Sequence, residues 1–484
     1  MYRIGLYGTA RRSAGGLWAI ISKERGGVKR PKMAAKLWRW IWPLLWAAAA
    51  VAEPRGRAES LVDLMAEAAF ERVVEQFAPE MRLRGGGAAQ WQAAWNVLEK
   101  KLGRYERRLE SRVRRQDQYE IVRVTCQFAG GRYDVRVVYD RSMRVNGLFF
   151  VPAPPPAPYS PPAYTQTADW RQEEVSVGQR PWVLPGTLTL PASLADSLRV
   201  PAVLLLHGSG PHDRDGSVGP NKPLRDLAWG LASRGIASLR YDKRTRRYAG
   251  RLDRARLTPE EEVLQDAAAA LDLLRRERRV RSGRIFALGH SLGGTLLPRL
   301  AARDSALSGL VLMAAAARPL EDLIVEQVAY VASLDGEVDA DELRRLEGLR
   351  ARAARIKDPG LEASGPPAAL LMGLGPRYWL YLRAYDPVRT AADLDTPMML
   401  LQGERDYQVT EADWLAWRAG LASRRGVRFG RYPGLNHLFM EGEGPSRPEE
   451  YRRPGHVDEA VLDDIAAWIV GVSRAADGAA TSGQ

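Results

Sequence analysis

The stretch "ALGHSLGGT", residues 287–295, places Ser291 between Gly289 and Gly293 directly after an apolar run. This pattern predicts a strand, a tight turn centred on Ser291 and a helix that begins at Leu292, which is the context in which Gly-x-Ser-x-Gly holds a nucleophilic serine. The two glycines remove the Cβ atoms that would collide where strand and helix meet. Ser291 is therefore either a nucleophile at the C-terminal edge of a sheet or an N-cap serine in a glycine-rich turn.

A second stretch, "VLLLHGSGP" at residues 203–211, ends an apolar strand in small residues that allow a backbone N–H to turn toward Ser291. We expect the backbone N–H groups of Ser209 and Leu292 to form an oxyanion hole, because preorganised N–H donors and a helix N-terminus stabilise developing negative charge. His207 is predicted to be a structural histidine bonded to nearby backbone. This second stretch favours the nucleophile interpretation.

A serine hydroxyl needs a base that takes its proton and a carboxylate that orients this base. Of the five histidines, two lie downstream of the serine. His437, in "YPGLNHLF", directly follows a predicted strand, whereas His456 starts the last helix, where capping or surface exposure is expected. The acid is expected in "PMMLLQGERDYQVT", residues 397–410, where Asp406 is favoured over Glu404 because it lies farther out on the loop.

Strand and helix patterns alternate from Glu173 onward, which is typical of a mostly parallel sheet with helices on both faces. Only helical patterns occur at about 316–393, so these residues are expected to form a cap over one edge of the sheet. Tyr378, Tyr381 and Tyr385 share one face of a cap helix and either line an acyl pocket or dock the helix. The predicted strands are 187–190, 200–206, 237–241, 284–288, 309–313, 397–401 and 427–432.

Composition shifts divide the chain into five segments. In residues 53–150, a helical spacing of apolar residues at 61–77 and 91–102 precedes alternating strand patterns at 119–128 and 132–139. The proline-rich residues 151–164 are expected to form an extended polyproline II linker. The predicted segments are a leader at 1–52, a small α+β module at 53–150, a Pro-rich linker at 151–164, an α/β domain at 165–474 with the cap at about 316–393, and a flexible tail at 475–484.

The leader accounts for most of the net charge of +13, because its ten basic residues and one acidic residue carry +9. No nucleic-acid partner is therefore predicted for the folded part. The basic stretch 32–39, the apolar run 40–52 and the small residues at 50–52 resemble a secretory signal peptide, and the run is shorter than the ~20 residues that span a bilayer. We expect an exported protein of bacterial type, membrane-bound only if the leader is uncleaved, with Met33 as an alternative start.

Cys126 is the single cysteine of the 484 residues, which excludes an intramolecular disulfide and a cysteine-based metal site. It lies in an alternating apolar run and is expected to be buried. The spacing of residues 212–215 matches no metal site, and the proposed chemistry needs neither a metal nor an organic cofactor. Asp242 and Arg244 either contact substrate or brace their loop through ion pairs.

The chain resembles the α/β-hydrolase superfamily over roughly residues 173–474, on "HGSGP", "LRYDKR", "GHSLGG", "LLQGERD" and "GLNH" in that order. Within the superfamily it is similar to exported bacterial esterases in which a small α+β module of unknown function precedes the hydrolase, because "ERVVEQFAPEMR" and "WNVLEKKLGRY" resemble that module. The resemblance implies an α/β-hydrolase fold with a helical cap. It also implies ester hydrolysis through an acyl-enzyme on Ser291, with Asp406 and His437 completing a catalytic triad.

Three other activities fit the same motifs. A thioesterase or acyltransferase shares all of them, whereas a serine peptidase of the prolyl oligopeptidase kind usually adds a propeller, and the sequence has no blade-length repeat. A non-catalytic envelope-binding protein would have no reason to keep serine, acid and histidine at strand ends. The predicted partner is therefore a small-molecule ester, and the sequence predicts no oligomeric state.

Overall fold

The computed structural model describes residues 54–116, 118–153, 159–193, 195, 198–336, 338 and 340–482. The predicted leader, residues 154–158 of the Pro-rich linker and the last two residues lie outside these ranges. Within them, no helix combines the length and the apolarity that crossing a bilayer requires.

The N-terminal module has helices on one face of a four-stranded antiparallel sheet with the strand order β1-β2-β3-β4. Alternate residues of β2, including the buried Cys126, point into the core that the helices cover. The elements are α1 (Pro54–Ala66), α2 (Phe70–Val74), α3 (Pro79–Gly85), α4 (Ala88–Leu102), β1 (Tyr105–Gln116), β2 (Tyr119–Phe128), β3 (Gly131–Tyr139) and β4 (Val145–Pro152).

The predicted helix at 61–77 is wrong in its continuity. Helix α1 ends at Ala66 and α2 begins at Phe70, because Ala68 adopts a left-handed conformation (φ 58°) that a continuing helix does not allow. Phe70 and Phe77 are nevertheless buried in the same core as α1. The apolar spacing therefore reported the common core but not the break.

The second domain contains an eight-stranded sheet with the order β12-β11-β10-β9-β7-β8-β6-β5. The pairs from β8 through β7, β9, β10 and β11 to β12 are parallel, whereas β6 is antiparallel to both β8 and β5. These findings confirm the expected mostly parallel sheet. The strands are β5 (Trp170–Val177), β6 (Leu184–Pro191), β7 (Val200–Leu206), β8 (Ala237–Tyr241), β9 (Val280–His290), β10 (Gly309–Met313), β11 (Met398–Gly403) and β12 (Val427–Tyr432).

Helices cover both faces of this sheet, as consecutive residues of β7 demonstrate. Leu204 and Leu206 belong to one apolar cluster, whereas Val203 and Leu205 belong to a second one. Burial on both faces explains why β7 reads as a continuous apolar run. The helices are α5 (Pro223–Ala232), α6 (Arg244–Arg247), α7 (Gln265–Arg276), α8 (Leu292–Ala301), α9 (Leu320–Ser333), α10 (Ala340–Lys357), α11 (Pro376–Arg383), α12 (Pro387–Ala392), α13 (Glu411–Gly420) and α14 (Glu459–Ser482).

Short helical turns complete the domain. A π-helical turn, Glu260–Leu264, leads directly into α7. The others are 3₁₀ turns at Thr167–Asp169, Ala249–Arg251, Pro367–Ala369, Leu371–Gly373 and Glu450–Arg452.

The cap consists of α9 to α12, and its tyrosine stripe attaches α11 to the domain below. The Tyr378 hydroxyl donates to Glu262 at 2.7 Å, and Tyr381 donates to Glu260 at 2.7 Å. Tyr385 donates to the carbonyl of Thr295 at 2.8 Å. All three hydroxyls are bonded to the second domain, so the structure favours docking over an acyl-pocket role for Tyr378 and Tyr381. Tyr385 combines its docking bond with a place in the lining of the large cavity described below.

Candidate active site

Ser291 lies on the turn between β9 and α8 with φ 54° and ψ −123°, a conformation that is strained for a residue with a side chain. The turn is held by Ser291 N–H donating to Met313 O at 2.9 Å. A Cβ atom on Gly289 would lie 2.4 Å from the backbone of Gly293, and one on Gly293 would lie 2.5 Å from His207 O. Only glycine therefore fits at these two positions, and the close approach presents the serine at the end of β9.

His437 and Asp406 form a buried pair on the loops that follow β12 and β11. The Nδ1–H of His437 donates to Asp406 Oδ2 at 2.6 Å, which leaves Nε2 as the acceptor. The other carboxylate oxygen accepts from the N–H groups of Gln408 (2.7 Å) and Val409 (3.0 Å). The alternative acid, Glu404, instead forms an ion pair with Arg431 at 2.9 Å. The carboxylate of Asp406 is thus fixed against the imidazole.

His290, the residue before the serine, links the two halves of the site. Its Nε2–H donates to the carbonyl of His437 at 2.8 Å, and the two rings lie 4.6 Å apart. Burial lowers the pKa of His290 to about 3, so it remains neutral and keeps this bond at ordinary pH. Sequence reasoning gave His290 no role, because a single histidine in a glycine-rich motif carries no signal for its partner.

The candidate oxyanion donors come from the turn after β7 and from the N-terminus of α8. Gly208 lies against the serine, since a Cβ added to it would be 3.2 Å from the Cβ of Ser291. Leu292 is the first residue of α8, where a helix leaves N–H groups without intrahelical acceptors. The structure therefore places the N–H groups of Ser209 and Leu292 on the two segments that adjoin Ser291.

The buried Lys243 and the half-buried His212 hold the peptide groups around Ser209. Lys243 Nζ donates to the carbonyl of Gly208 at 2.9 Å, and this carbonyl belongs to the same peptide group as the Ser209 N–H. His212 Nε2–H donates to the Ser209 carbonyl at 2.8 Å. Burial lowers the pKa of His212 to about 4, which keeps its imidazole neutral. The plane of the Gly208–Ser209 peptide is thereby fixed from outside the turn.

Lys243 is linked to the cap through Glu262. Its ammonium group donates to Glu262 at 2.6 Å, and the other oxygen of Glu262 accepts the Tyr378 hydroxyl at 2.7 Å. The lysine and glutamate side chains are 2% and 5% exposed, so the pair is nearly dry. A chain of three side chains thus connects α11 to the turn that carries Ser209. Sequence reasoning missed it because residues 243, 262 and 378 are far apart in the chain.

The neighbouring residues Asp242 and Arg244 brace loops. Asp242 accepts from the N–H of Arg214 at 2.9 Å, and Arg244 forms an ion pair with Asp266 at 2.5 Å. These contacts therefore favour the interpretation that both residues brace loops over the one in which they contact substrate.

The two remaining histidines, His207 and His456, line the cavity that contains Ser291 and contact other partners. His207 is buried parallel to His212, and burial holds its pKa well below the ordinary range. His456 contacts Asp226 at 3.3 Å and the hydroxyl of Tyr159 at 3.0 Å. Tyr159 also packs on Trp229, so this second histidine–carboxylate pair anchors the predicted linker at Tyr159.

Ser291 and His437 line one cavity of about 2100 Å³. Side chains of the cap and of the N-terminal module line the same cavity. In the described part of the chain, no group of three or more histidine, cysteine or acidic side chains is arranged to hold a metal ion.

Comparison with known proteins identifies relatives of both domains. Residues 203–453 match the family described as "Alpha/beta hydrolase family", and residues 58–148 match one described as "Protein of unknown function (DUF3887)". Over 377 residues the chain is 38% identical to "Esterase EstD" of Thermotoga maritima, a match that covers 78% of this chain and 86% of that protein.

The solved structures that the chain resembles are more distant in sequence. Est1E from Butyrivibrio proteoclasticus is 16% identical, with 61% of this chain and 99% of that chain covered and a TM-score of 0.39. A puromycin hydrolase is 18% identical, with 74% and 46% covered and a TM-score of 0.41.

Proposed function

The chain belongs to the alpha/beta hydrolase family, and on that premise we propose that it is a serine carboxylic-ester hydrolase that forms an acyl-enzyme on Ser291. The observation that carries the proposal is the buried His437–Asp406 pair at 2.6 Å beside a cavity that also contains Ser291. The similarity to a Thermotoga maritima protein named as an esterase supports an ester as the substrate class.

In the proposed reaction, His437 Nε2 takes the hydroxyl proton as Ser291 Oγ attacks the ester carbonyl. The N–H groups of Ser209 and Leu292 stabilise the oxyanion, and Asp406 stabilises the imidazolium. His437 then returns the proton to the departing alcohol, which leaves the acyl group on Ser291. Attack by water on the acyl-enzyme, with His437 again as the base, releases the acid and restores the enzyme.

Lys243 is a positioning residue in this mechanism. Its ammonium group binds the Gly208 carbonyl, and withdrawal of electron density from that oxygen makes the N–H of the same peptide a better donor. The N–H of Ser209 is therefore both aimed and polarised before substrate arrives. Such preorganisation is useful because it costs no rearrangement at the moment of reaction.

A fluorophosphonate probe and an ester panel test the proposal. We expect the protein to be labelled, Ser291→Ala to abolish labelling, and ester turnover to fall by roughly 10³-fold or more, since the triad acts as a unit. Ser308→Ala is the matched control, because Ser308 is exposed and bonded to Gly283 O. It should retain labelling and turnover.

A matched pair of histidine variants tests the assignment of His437 as the base. His437→Ala should lower turnover nearly as much as Ser291→Ala, whereas His456→Ala should have a mild effect, because His456 bonds to Asp226 and not to Asp406. Labelling that survives in Ser291→Ala, or equal losses in the two histidine variants, would contradict the proposed mechanism.

A further inference from the structure

The N-terminal module presents one row of its sheet to the active-site cavity. In the strand register, Arg107 of β1 is opposite Gln127 of β2, and Gln127 is opposite Arg132 of β3. Directly opposed residues point to the same face of a sheet, and all three residues line the cavity that contains Ser291. All three residues of the row therefore border the cavity that contains Ser291.

The next residue of β1, Arg108, has a different environment, although it also lines part of the cavity. Arg108 is opposite Cys126, which is buried in the module core. The Arg108 guanidinium contacts Asp63 on α1 at 2.8 Å. Because side chains alternate along a strand, Arg107 and Gln127 lie on the face that α1 does not cover.

The two guanidinium groups of this row, those of Arg107 and Arg132, form no close ion pair within the described ranges. Within the described residues, neither Arg107 nor Arg132 has a carboxylate within 4.0 Å. Arg246 of the second domain repels the charge of Arg107, and its own contact with Asp213 is loose at 4.0 Å. Burial and the neighbouring Arg246 lower the pKa of Arg107 to about 10, against the opposing effect of Asp213 and Glu106. Arg107 is therefore still charged near neutral pH.

Three other cations at the cavity are paired with acids. Arg318 forms ion pairs with Glu326 at 2.7 Å and with Asp413 at 2.8 Å. Lys222 pairs with Asp215 at 3.1 Å, and Arg225 contacts the same carboxylate. Unlike these three cations, Arg107 and Arg132 on the module side of the cavity have no close carboxylate partner in the described part of the chain.

The size of the cavity leaves room for more than a simple ester. Its volume of about 2100 Å³ exceeds the ~300–1,000 Å³ of ordinary small-molecule sites. A substrate that reaches both Ser291 and the module wall must carry a group well away from its scissile bond. Guanidinium groups bind carboxylate and phosphate oxygens through paired, charge-assisted hydrogen bonds.

We propose that Arg107, Gln127 and Arg132 of the module, together with Arg246, form an anion-binding wall of the active-site cavity, and that the enzyme acts on esters that carry a carboxylate or phosphate-type group remote from the scissile bond. The proposal rests on the proposed esterase function and adds the substrate class. It also gives the module a role, as one side of the substrate site.

The test compares three 4-nitrophenyl esters of similar length on the full chain: the neutral valerate, the glutarate monoester with a free carboxylate, and an acyl ester that ends in a phosphonate. We expect the wild type to prefer one or both anionic esters over the valerate, with the preference falling as salt rises because salt screens exposed charges. The carboxylate and phosphonate arms then show which anion the wall accepts.

Arg107→Gln and Arg132→Gln should each raise KM for the preferred anionic ester about tenfold and leave kcat/KM for the valerate within about twofold. Arg107→Glu should reverse the preference. Arg114→Gln is the matched control, because Arg114 lies on the same strand and does not line the cavity. It should behave as the wild type.

A separate measurement keeps this proposal distinct from the proposed reaction. In the Ser291→Ala background, calorimetry with the intact anionic ester reports binding without turnover, and Arg107→Gln should weaken that binding about tenfold. Absent preference in the wild type, equal losses on neutral and anionic esters, or unchanged binding in Arg107→Gln would each overturn the anion-binding wall. Absent fluorophosphonate labelling with normal anion binding would overturn only the esterase.

Discussion

At the scale of single residues, the consequential contact is the bond from Lys243 to the Gly208 carbonyl. A buried lysine is costly unless it is paired, and Glu262 supplies the pairing charge. The lysine therefore has two partners, one that stabilises its charge and one that it positions. Removal of Lys243 alone would leave Glu262 buried without a cation, so a test has to change both.

Lys243→Met/Glu262→Gln should lower kcat for a simple ester about tenfold or more and leave KM within about twofold. The reason is that a misaligned Ser209 N–H weakens only the transition state. The affinity of a boronate that mimics the tetrahedral intermediate should fall by the same factor. Lys357→Met, which removes an exposed ion pair with Asp322 in the cap, is the control. A change confined to KM, or an unchanged boronate affinity, would exclude the positioning role.

The neutral histidines of the site predict how stability depends on pH. Their pKa values are lowered to about 4 for His212 and about 3 for His290, whereas an unfolded histidine titrates near ~6.5. The unfolded chain therefore binds protons below that pH while the folded chain does not. Their contribution is complete above about pH 6.5 and is lost as pH falls, at up to ~1.4 kcal/mol per pH unit for each histidine.

Urea unfolding between pH 7 and pH 5 measures this effect. The free energy of unfolding should fall across the window, and the slope should be shallower in His212→Gln, whose amide can still donate to the Ser209 carbonyl. Ser308→Ala should keep the wild-type slope. Coincident slopes for the wild type and His212→Gln would show that His212 titrates alike in the folded and unfolded chain.

At the scale of elements, helix α11 separates a docking face from a cavity face. Tyr381 bonds to Glu260 and does not line the cavity, whereas the next residue, Leu382, does. Tyr381→Ala should therefore lower stability and affect all esters alike, without changing the preference among acyl-chain lengths. Leu382→Ala should shift that preference. A panel of 4-nitrophenyl esters from acetate to decanoate measures the chain-length preference of both variants. A changed preference in Tyr381→Ala would support an acyl-pocket role for the tyrosine stripe instead of docking.

The strands that sequence patterns predicted are those with an apolar signature. The buried strand β7 reads as an apolar run, and β2 and β3 alternate. β5 was missed because this edge strand, "WRQEEVSV", is largely polar and has a single neighbour in the sheet. β1, "YERRLESRVRRQ", was missed for a similar reason, since its arginines lie on an exposed sheet face or pair with α1. Local pattern cannot identify a strand whose partners lie elsewhere in the chain.

The same limit of local sequence patterns separates the site residues that could be predicted from those that could not. Ser291, Asp406 and His437 could be predicted because each directly follows a recognisable strand, and their catalytic roles remain predictions that the variants test. Lys243, Glu262 and His290 could not, because their importance lies in contacts between distant segments. In the sequence, Arg107 is one charged residue among many. The strand register shows that it is opposite Gln127, and both residues border the cavity.

At the scale of the whole molecule, the net charge conceals an uneven distribution. Outside the leader the chain carries only +4, yet arginines are concentrated on the uncovered face of the module sheet. Because the opposite face packs on the helices, this charge does not stabilise the module core. The arginines on the uncovered face, by register, are Arg107, Arg112, Arg114, Arg123, Arg132 and Arg136.

Removal of the N-terminal module tests which domain supplies catalysis and which supplies the preference for anionic esters. The module core contains residues 58–148, and the two main clusters of the second domain contain residues from 177 onward. A domain with its own core is expected to fold alone. A protein that begins at Tyr159 keeps the contacts of that tyrosine with Asp226 and His456.

The shortened protein should react with the fluorophosphonate probe and hydrolyse 4-nitrophenyl acetate within a few-fold of the full chain, because Ser291, His437 and Asp406 all belong to the second domain. It should lose the preference for anionic esters, because Arg107 and Arg132 are gone and Arg246 alone remains. Full-length Ser291→Ala sets the background rate. A shortened protein that is folded by circular dichroism but inactive on every small ester would mean that the module completes the catalytic centre itself. Retention of the full anion preference would instead assign that preference to the second domain.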